Sequence, residues 1–305
     1  MSSELDRKAY GVRIRRVLVA MDASPHSLAA LDAATDMAAR FRAELQGLFV
    51  QDLNLLRLAQ LPFAQEVGQF SARERRIDSE EMERQLRMQS ARVRRIFDGR
   101  TRHAHLRCSF QVARGVVHRE VLSAASDADL LVLGRAGWSL LSPRRLGTTT
   151  RAILAQAPGL VLVLQRETCL GQPTVVIYDG SALSKKALEM AVELVDSPLP
   201  ERSVRGGGKQ KQESGVPISI FLLGSGGADT LQTLRREVEE WLAQRAPDLK
   251  VRFRALTDER VSRLADYIIR EECGILMVPA RSAILRDTAL QGLIDKVEVP
   301  VLLVS

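Results

Sequence analysis

Gly134 and Gly137, followed ten residues later by Gly147 and Thr148, are residue types and spacings able to hold phosphate. A glycine lets the backbone approach a ligand closely, because no Cβ stands in the way. A Gly-Thr step opening a helix leaves N–H groups unpaired and adds a hydroxyl, and both suit phosphate oxygens. The same glycines also fit a plain strand–loop–helix connection, since short glycine patterns recur by chance. Arg135, Arg144 and Arg145 lie in or beside this stretch. Each could grip a phosphate with two N–H donors, or simply solvate the surface.

The elements that must position these residues are legible as apolar runs. The run 130–133 precedes Gly134, and a helix starting at Thr148 carries Ala152, Ile153 and Leu154. Upstream, the run 15–22 closes on Asp22, after which Ser24 suits a helix N-cap and Pro25 the first turn. Leu28, Leu31, Ala34, Met37, Ala38 and Phe41 then recur at helical spacing. A second run, 45–50, ends before Gln51 and Asp52, and the alternation continues to the run 160–164. Strand–helix alternation of this kind predicts a parallel sheet with helices on both faces. Ligands of such sheets bind beyond the carboxyl ends of the strands, where the strand order reverses. Asp22, Val50 and Gly134 all fall at carboxyl ends and are expected to line one crevice.

At these residues the chain resembles the universal stress protein family, specifically its ATP-binding branch. The signature of that branch is Gly, two residues, Gly, nine residues, then Gly with Ser or Thr, and Gly134, Gly137, Gly147 and Thr148 match it. The opening segment 19–24 and the closing segment 156–163 also fall where the family has them, so the resemblance covers residues 13–165 and extends more weakly to the end. It implies a Rossmann-type α/β fold, like that of the adenine nucleotide alpha hydrolases, here as two tandem doubly wound parallel five-stranded sheets. It also implies that Asp22 holds the ribose or adenine edge of ATP, and that backbone at Ala20, Met21 and Val50 frames the base. Leu133, Gly134 and Gly137 would pass under the sugar and phosphates, and Gly147, Thr148 and Thr149 would cap them. Thr148 replaces the commoner Ser, and Thr149 stands where an aliphatic residue is usual.

An internal repeat divides the chain. The segment 175–181, ending in Asp179-Gly180-Ser181, restates the first strand and its Asp, and a helix over 183–195 follows. The runs 217–223, 273–278 and 299–304 restate the second, fourth and last strands. A period this long predicts two domains, each large enough to bury a core. They are expected at 13–166, with an intact ATP loop, and at 173–305, a degenerate copy. In the copy, Pro279 falls at the Gly134 position and Ser282 at Gly137, while Ala289 and Leu290 fall at Gly147 and Thr148. Proline lacks an N–H and leucine a hydroxyl, so no cradle is expected there. The stretch 225–230 resembles the phosphate loop of ATP pyrophosphatases, yet follows the second strand and not the first. A glycine turn with Asp229 capping a helix over 230–242 is the reading preferred. Residues 53–72 and 201–215 read as irregular, and 73–97 as a helix.

Composition narrows the function classes. The net charge is +7, and only seven of the 44 basic residues are Lys. Residues 1–166 hold 26 basic against 17 acidic residues, a net of +9, while 167–305 carry −2. The positive half is the one with the glycine loop, and its field can draw in anions. No nucleic-acid signature accompanies the charge, and aromatics are only 4 % of residues, so specific nucleic-acid binding is not expected. Cys108, Cys169 and Cys273 show no paired spacing, and His103 and His105 read as solvated strand-edge residues, so neither disulfide nor metal site is expected. No apolar run approaches the ~18 residues that span a bilayer, and the first residues lack a signal-peptide core, so a cytoplasmic location without membrane contact is expected.

These readings combine into a stress-response module that binds an adenine nucleotide, ATP with or without Mg²⁺, in its first half. The resemblance implies that segments 160–164 and 299–304 pair the halves as an intrachain pseudo-dimer, or that whole chains form a homodimer. An unidentified protein partner would read the nucleotide state. Enzymatic activity is not expected; slow Mg²⁺-dependent ATP hydrolysis or adenylyl transfer is the competing enzyme reading, and a nucleotide-independent scaffold the third.

Overall fold

Aliphatic and β-branched side chains fill the central strands because a parallel sheet covered on both sides buries both of its faces. The computed structural model describes residues 12–61, 79–136, 146–165, 170–171, 173–197, 217–224, 227–256, 264–271, 273–282 and 290–305, and the backbone of 65–67, 74–76 and 287–289. Strands β1 (Arg16–Ala20), β2 (Glu44–Asp52), β5 (Cys108–Gly115), β6 (Leu130–Gly134) and β7 (Leu160–Leu164) come from the first half. The second supplies β8 (Thr174–Tyr178), β9 (Ile218–Leu223), β10 (Val251–Leu256), β11 (Ile275–Pro279) and β12 (Val301–Val304). β7, β8, β9, β11 and β12 are buried at every position. The edge strands β5 and β10 are mostly exposed or half-buried.

All ten strands join one sheet in the order β10-β9-β8-β11-β12-β7-β6-β1-β2-β5. Every neighbouring pair within a half is parallel, and the two halves meet where β12 runs antiparallel to β7, with Val304 opposite Leu160 and Val301 opposite Val163. The expected α/β architecture with parallel five-stranded sets is therefore present, fused into a single sheet. Within each half the first strand lies between the second and the fourth, so the order reverses between β1 and β6 and again between β8 and β11.

Helices cover both faces. On one side lie α1 (Pro25–Phe41), α3 (Ser79–Thr101), α6 (Ala182–Asp196) and α7 (Ala228–Arg245), packed on a core that includes Val17, Val19, Met37, Val93, Val176, Met190 and Val238. The opposite side carries α4 (Val117–Ala125), α5 (Thr148–Leu154), α8 (Leu264–Arg270) and α9 (Asp287–Lys296), over Leu18, Leu131, Ile153, Val163, Leu276 and Ile294. Each core runs without interruption through both halves. Two buried or half-buried arginines stitch the junction: Arg40 of α1 donates to the Leu194 carbonyl (3.0 Å), and Arg135 donates to the carbonyls of Asp295 and Val297.

Several expectations about the chain change here. The stretch 53–72 is not wholly irregular: α2 (Leu53–Ala59) begins at once, with Asp52 accepting from Asn54 N as N-cap. That helix closes at Gln60, and Pro62 and Gly68 lie outside the described residues. Residues 74–76 are not helical either, since β3 (Gln65–Val67) and β4 (Glu74–Arg76) pair as a separate antiparallel ladder and α3 starts at Ser79. Alternating charges suit an exposed ladder as well as a helix face. His103 and His105 follow α3 and precede β5, with His105 in the left-handed region at φ 52°.

Candidate functional site

The crevice at the reversal between β1 and β6 is assembled by backbone register. Val17, Leu18 and Val19 lie opposite Leu130, Leu131 and Val132, and Ala20 lies opposite Leu48. The carboxyl ends of β6, β1 and β2 consequently stand side by side, which brings Leu133, Gly134, Ala20, Met21, Asp22 and Val50 to one end of the sheet. Met21 N donates to the Leu48 carbonyl (2.9 Å), so that N–H belongs to the sheet and a ligand could use only the carbonyl or side chain there. Ala20 and Val50 are half-buried, Met21 and Leu133 buried.

Asp22 closes the turn from β1 into α1. Its Oδ1 accepts from Ser24 N (2.9 Å), Ser27 Oγ accepts from Asp22 N (3.4 Å), and Ser24 Oγ accepts from Ser27 N (3.2 Å) as the N-cap of α1. A carboxylate has about four acceptor positions, so the Ser24 bond leaves capacity for a ribose hydroxyl. Between them Ala23 holds φ 61°, a left-handed conformation that costs a residue with a Cβ roughly 1–2 kcal/mol. At the matching turn of the second half, Asp179-Gly180-Ser181, glycine takes that conformation at φ 80° without the penalty.

The two glycines of the first half differ physically. A Cβ on Gly134 would sit 2.9 Å from His26 C and from Ser27 N, so this glycine is required by the close passage of β6 under the start of α1. Gly147 has φ −58°, open to any residue, and among the described residues a Cβ there would meet nothing nearer than Ala136 Cα at 3.4 Å. Gly147 N donates to the Arg135 carbonyl (3.0 Å), and the Thr150 hydroxyl donates to the Gly134 carbonyl (3.1 Å), joining α5 to the end of β6. Thr148 and Thr149 are exposed on the first turn of α5. Gly137, Arg144 and Arg145 lie outside the described residues.

Arg135 does not point towards a phosphate. Its side chain is 2 % exposed and crosses the junction to Asp295 O (2.6 Å) and Val297 O (3.1 Å). Burial lowers its pKa, and the charges of Asp295 and Glu298 oppose that shift. Many other arginines of the positive half pair locally on helix surfaces, as Arg84 with Glu81, Arg87 with Glu83 and Arg94 with Asp98 on α3. Such exposed pairs contribute little to stability.

The second half is wired differently at the matching place. Ala280 N donates to Val304 O (2.8 Å) just as Arg135 N donates to Leu164 O (2.7 Å), so Pro279 does stand at the Gly134 position. Burial acts to raise the pKa of Asp179, but hydrogen bonds from the Ser181 and Ser282 side chains, the Ser181 N–H and Ser184 outweigh it and hold the carboxyl below its ordinary value. Ser282, at the Gly137 position, thus occupies the carboxylate from within. Ala289 and Leu290 lie inside α9, which begins at Asp287, whereas Gly147 and Thr148 straddle a helix start. Gly227, and not Asp229, is the N-cap residue of α7; Asp229 sits in the first turn.

Sequence reasoning missed Ser27, Gln89, Thr150 and Asp295. Gln89 of α3 donates to the Asp22 carbonyl (3.4 Å), and Asp295 accepts from Leu146 N (2.9 Å). Only Ser27 carried a local signal, three residues beyond an N-cap serine; the others act across long separations. Two pockets of about 440 Å³ open elsewhere, one against β2, β5 and α4 around Gln46, Gln111 and Glu120, the other near Asp129, Pro158 and Lys186. Among the described residues, no three His, Cys, Asp or Glu side chains gather as a metal site, and no helix is long and apolar enough to cross a membrane.

A doubly wound α/β sheet with a glycine-flanked strand-to-helix connection at its first reversal point defines the fold class. Residues 13–165 match the universal stress protein family, and the chain belongs to it. No curated protein matches the chain closely enough to report. Among solved structures, it is similar to a universal stress protein from Archaeoglobus fulgidus DSM 4304, with a TM-score of 0.68 and 17 % identity over 95 % of this chain and 98 % of that one. A putative universal stress protein from Pseudomonas aeruginosa UCBPP-PA14 superposes with a TM-score of 0.55 and 12 % identity, over 98 % of this chain and 94 % of that one. A functionally unknown protein from Pseudomonas aeruginosa PAO1 gives 0.56 and 12 %, over 99 % and 94 %. At these identities the likeness is one of fold.

Proposed function

We propose that this chain is a tandem universal stress protein that binds ATP in its first half and acts as a nucleotide-dependent signalling module in the stress response. The observation that carries the reading is Gly147. Neither its φ nor its described neighbours demand glycine, and close approach by a bound phosphate is the role we assign to it. The Thr148 and Thr149 hydroxyls beside it would cap the phosphates, with Asp22 on the ribose and Ala20, Met21 and Val50 around the base. The described residues gather no carboxylate set for Mg²⁺, so the ion is proposed to arrive on the triphosphate. Asp22, engaged by Ser24 in its turn, suits holding a hydroxyl better than moving protons, and the proposal is of a binding protein and not an enzyme. The two halves act as an intrachain pair, in the cytoplasm, with a protein partner reading the occupied site.

Calorimetric titration of ATP into the nucleotide-stripped chain tests this, beside a Gly147→Val/Thr148→Val double variant. About one equivalent bound by the wild type and none by the variant is expected. Two equivalents would place a site in the second half against the proposal, and no binding by the wild type would end it.

A further inference from the structure

The two ends of the glycine-flanked connection are held by a residue of the other half. Asp295, near the carboxyl end of α9, directs Oδ1 at both: it accepts from Leu146 N at 2.9 Å and lies 3.9 Å from Arg135 Nη2. Arg135 immediately follows β6, and Leu146 immediately precedes Gly147. One carboxylate oxygen therefore ties the entry of the connection to its exit. Gly147 N, donating to the Arg135 carbonyl, adds a third tie between the same two places.

We propose that Asp295 is a positioning residue for the nucleotide site, through which the second half holds Arg135 and Leu146, and with them Gly134 and Gly147, in their relative places. The proposal rests on the ATP reading above. Arg135, which the sequence allowed either to grip a phosphate or to solvate the surface, does neither and serves as the arm that reaches the brace. Its guanidinium is anchored on two main-chain carbonyls, Asp295 O and Val297 O, and Gln165 Nε2 donates to the second of these at 2.6 Å. The matching residue of the second half, Ala280, is too short to reach across in return. At this position an arginine is present only in the half that retains its glycines.

Because the anchoring carbonyls are backbone, changing the Asp295 side chain leaves the Arg135 anchorage intact and removes only the bond to Leu146 and the nearby charge. The Asp295 side chain is 28 % exposed, so its truncation opens no sealed cavity. Asp295→Ala is expected to weaken ATP binding about tenfold, in line with loss of a charge-assisted hydrogen bond. Asp295→Asn keeps an acceptor for Leu146 N and is expected to restore most of the affinity and to melt with the wild type, while Asp295→Ala melts a few degrees lower, still well above the assay temperature. Wild-type affinity in Asp295→Ala overturns the proposal, and so does a loss that tracks the melting temperature and is shared equally by Asp295→Asn. Amide exchange at Leu146 in the ligand-free full chain separates this from the ATP reading. If the wild type binds no ATP, that reading fails alone; faster exchange at Leu146 in Asp295→Ala still upholds the brace, and unchanged exchange refutes it.

Discussion

Alanine at Gly134 should destabilise the protein and alanine at Gly147 should leave it nearly unchanged, although both residues belong to one glycine signature. At Gly134 the added methyl would lie 2.9 Å from two backbone atoms of the α1 start and 3.0 Å from His26 Cβ. Backbone cannot step aside as a flexible side chain can, so α1 or the end of β6 must shift. Overpacking of this kind costs about 1–3 kcal/mol. With about 2–4 °C of melting temperature per kcal/mol for chains approaching this size, Gly134→Ala should melt roughly 2–12 °C lower. At Gly147 the methyl meets Ala136 Cα at an ordinary 3.4 Å, and φ −58° suits alanine. Restricting the unfolded chain there gains about 0.4–1 kcal/mol, and the poorer N-cap that alanine makes costs about as much, so Gly147→Ala should melt close to the wild type. Urea denaturation with a fixed m-value, run beside thermal melts, reads both changes. Gly134→Ala melting with the wild type would refute the packing argument. Gly147→Ala falling as far as Gly134→Ala would show that the fold needs glycine there, and would remove the support that residue lends to nucleotide binding.

Two further outcomes follow from the titratable groups. The Asp179 carboxyl is held below its ordinary value, so its contribution is fully present above the unfolded pKa and is lost as pH falls through the lower folded one. Ser282→Ala removes one of the bonds responsible and should move acid unfolding to higher pH; an unchanged acid midpoint would count against the bond. Cys273 is buried and its thiol is pushed up to about 12, first by burial, whereas Cys108 is exposed at the edge strand β5. In a Cys169→Ser background at pH 8, an aromatic disulfide reagent should label one thiol in the native protein and a second only on unfolding; rapid labelling of two native thiols would contradict the burial of Cys273.

The strands were legible because burial on both faces forces near-continuous aliphatic runs, and the crevice followed from where those runs ended. Ser24 and Pro25 announced the start of α1 through cap chemistry, which is local. Two of the failures share a different character. Arg135 carries the side chain a phosphate ligand would have, and only the fold reveals that its nearest carbonyls lie 160 and 162 residues away. Gly134 was rightly marked as a place of close approach, but the approaching group is the chain's own backbone at His26 and Ser27. Spacing shows where a Cβ is forbidden, not what forbids it. The shift from helix to strand at 74–76 has a different, local origin, since a run of charges suits an exposed ladder with the nearby 65–67 as well as a helix face.

The antiparallel contact of β12 with β7 is the kind of edge on which two identical subunits related by a two-fold axis could pair. In such a dimer every contact occurs twice, and a residue can be optimised only for a surface that it also helps to form. Carrying both partners on one chain removes that constraint. Counting back from the prolines before the last strands, Pro158 and Pro300, the counterpart of Asp295 is Ile153, while matching the ends of β6 and β11 makes Ala280 the counterpart of Arg135. The Arg135–Asp295 contact is therefore made once, in one direction, an arrangement no symmetric pair of copies could adopt. Covalent linkage thus lets one partner specialise in steadying the other.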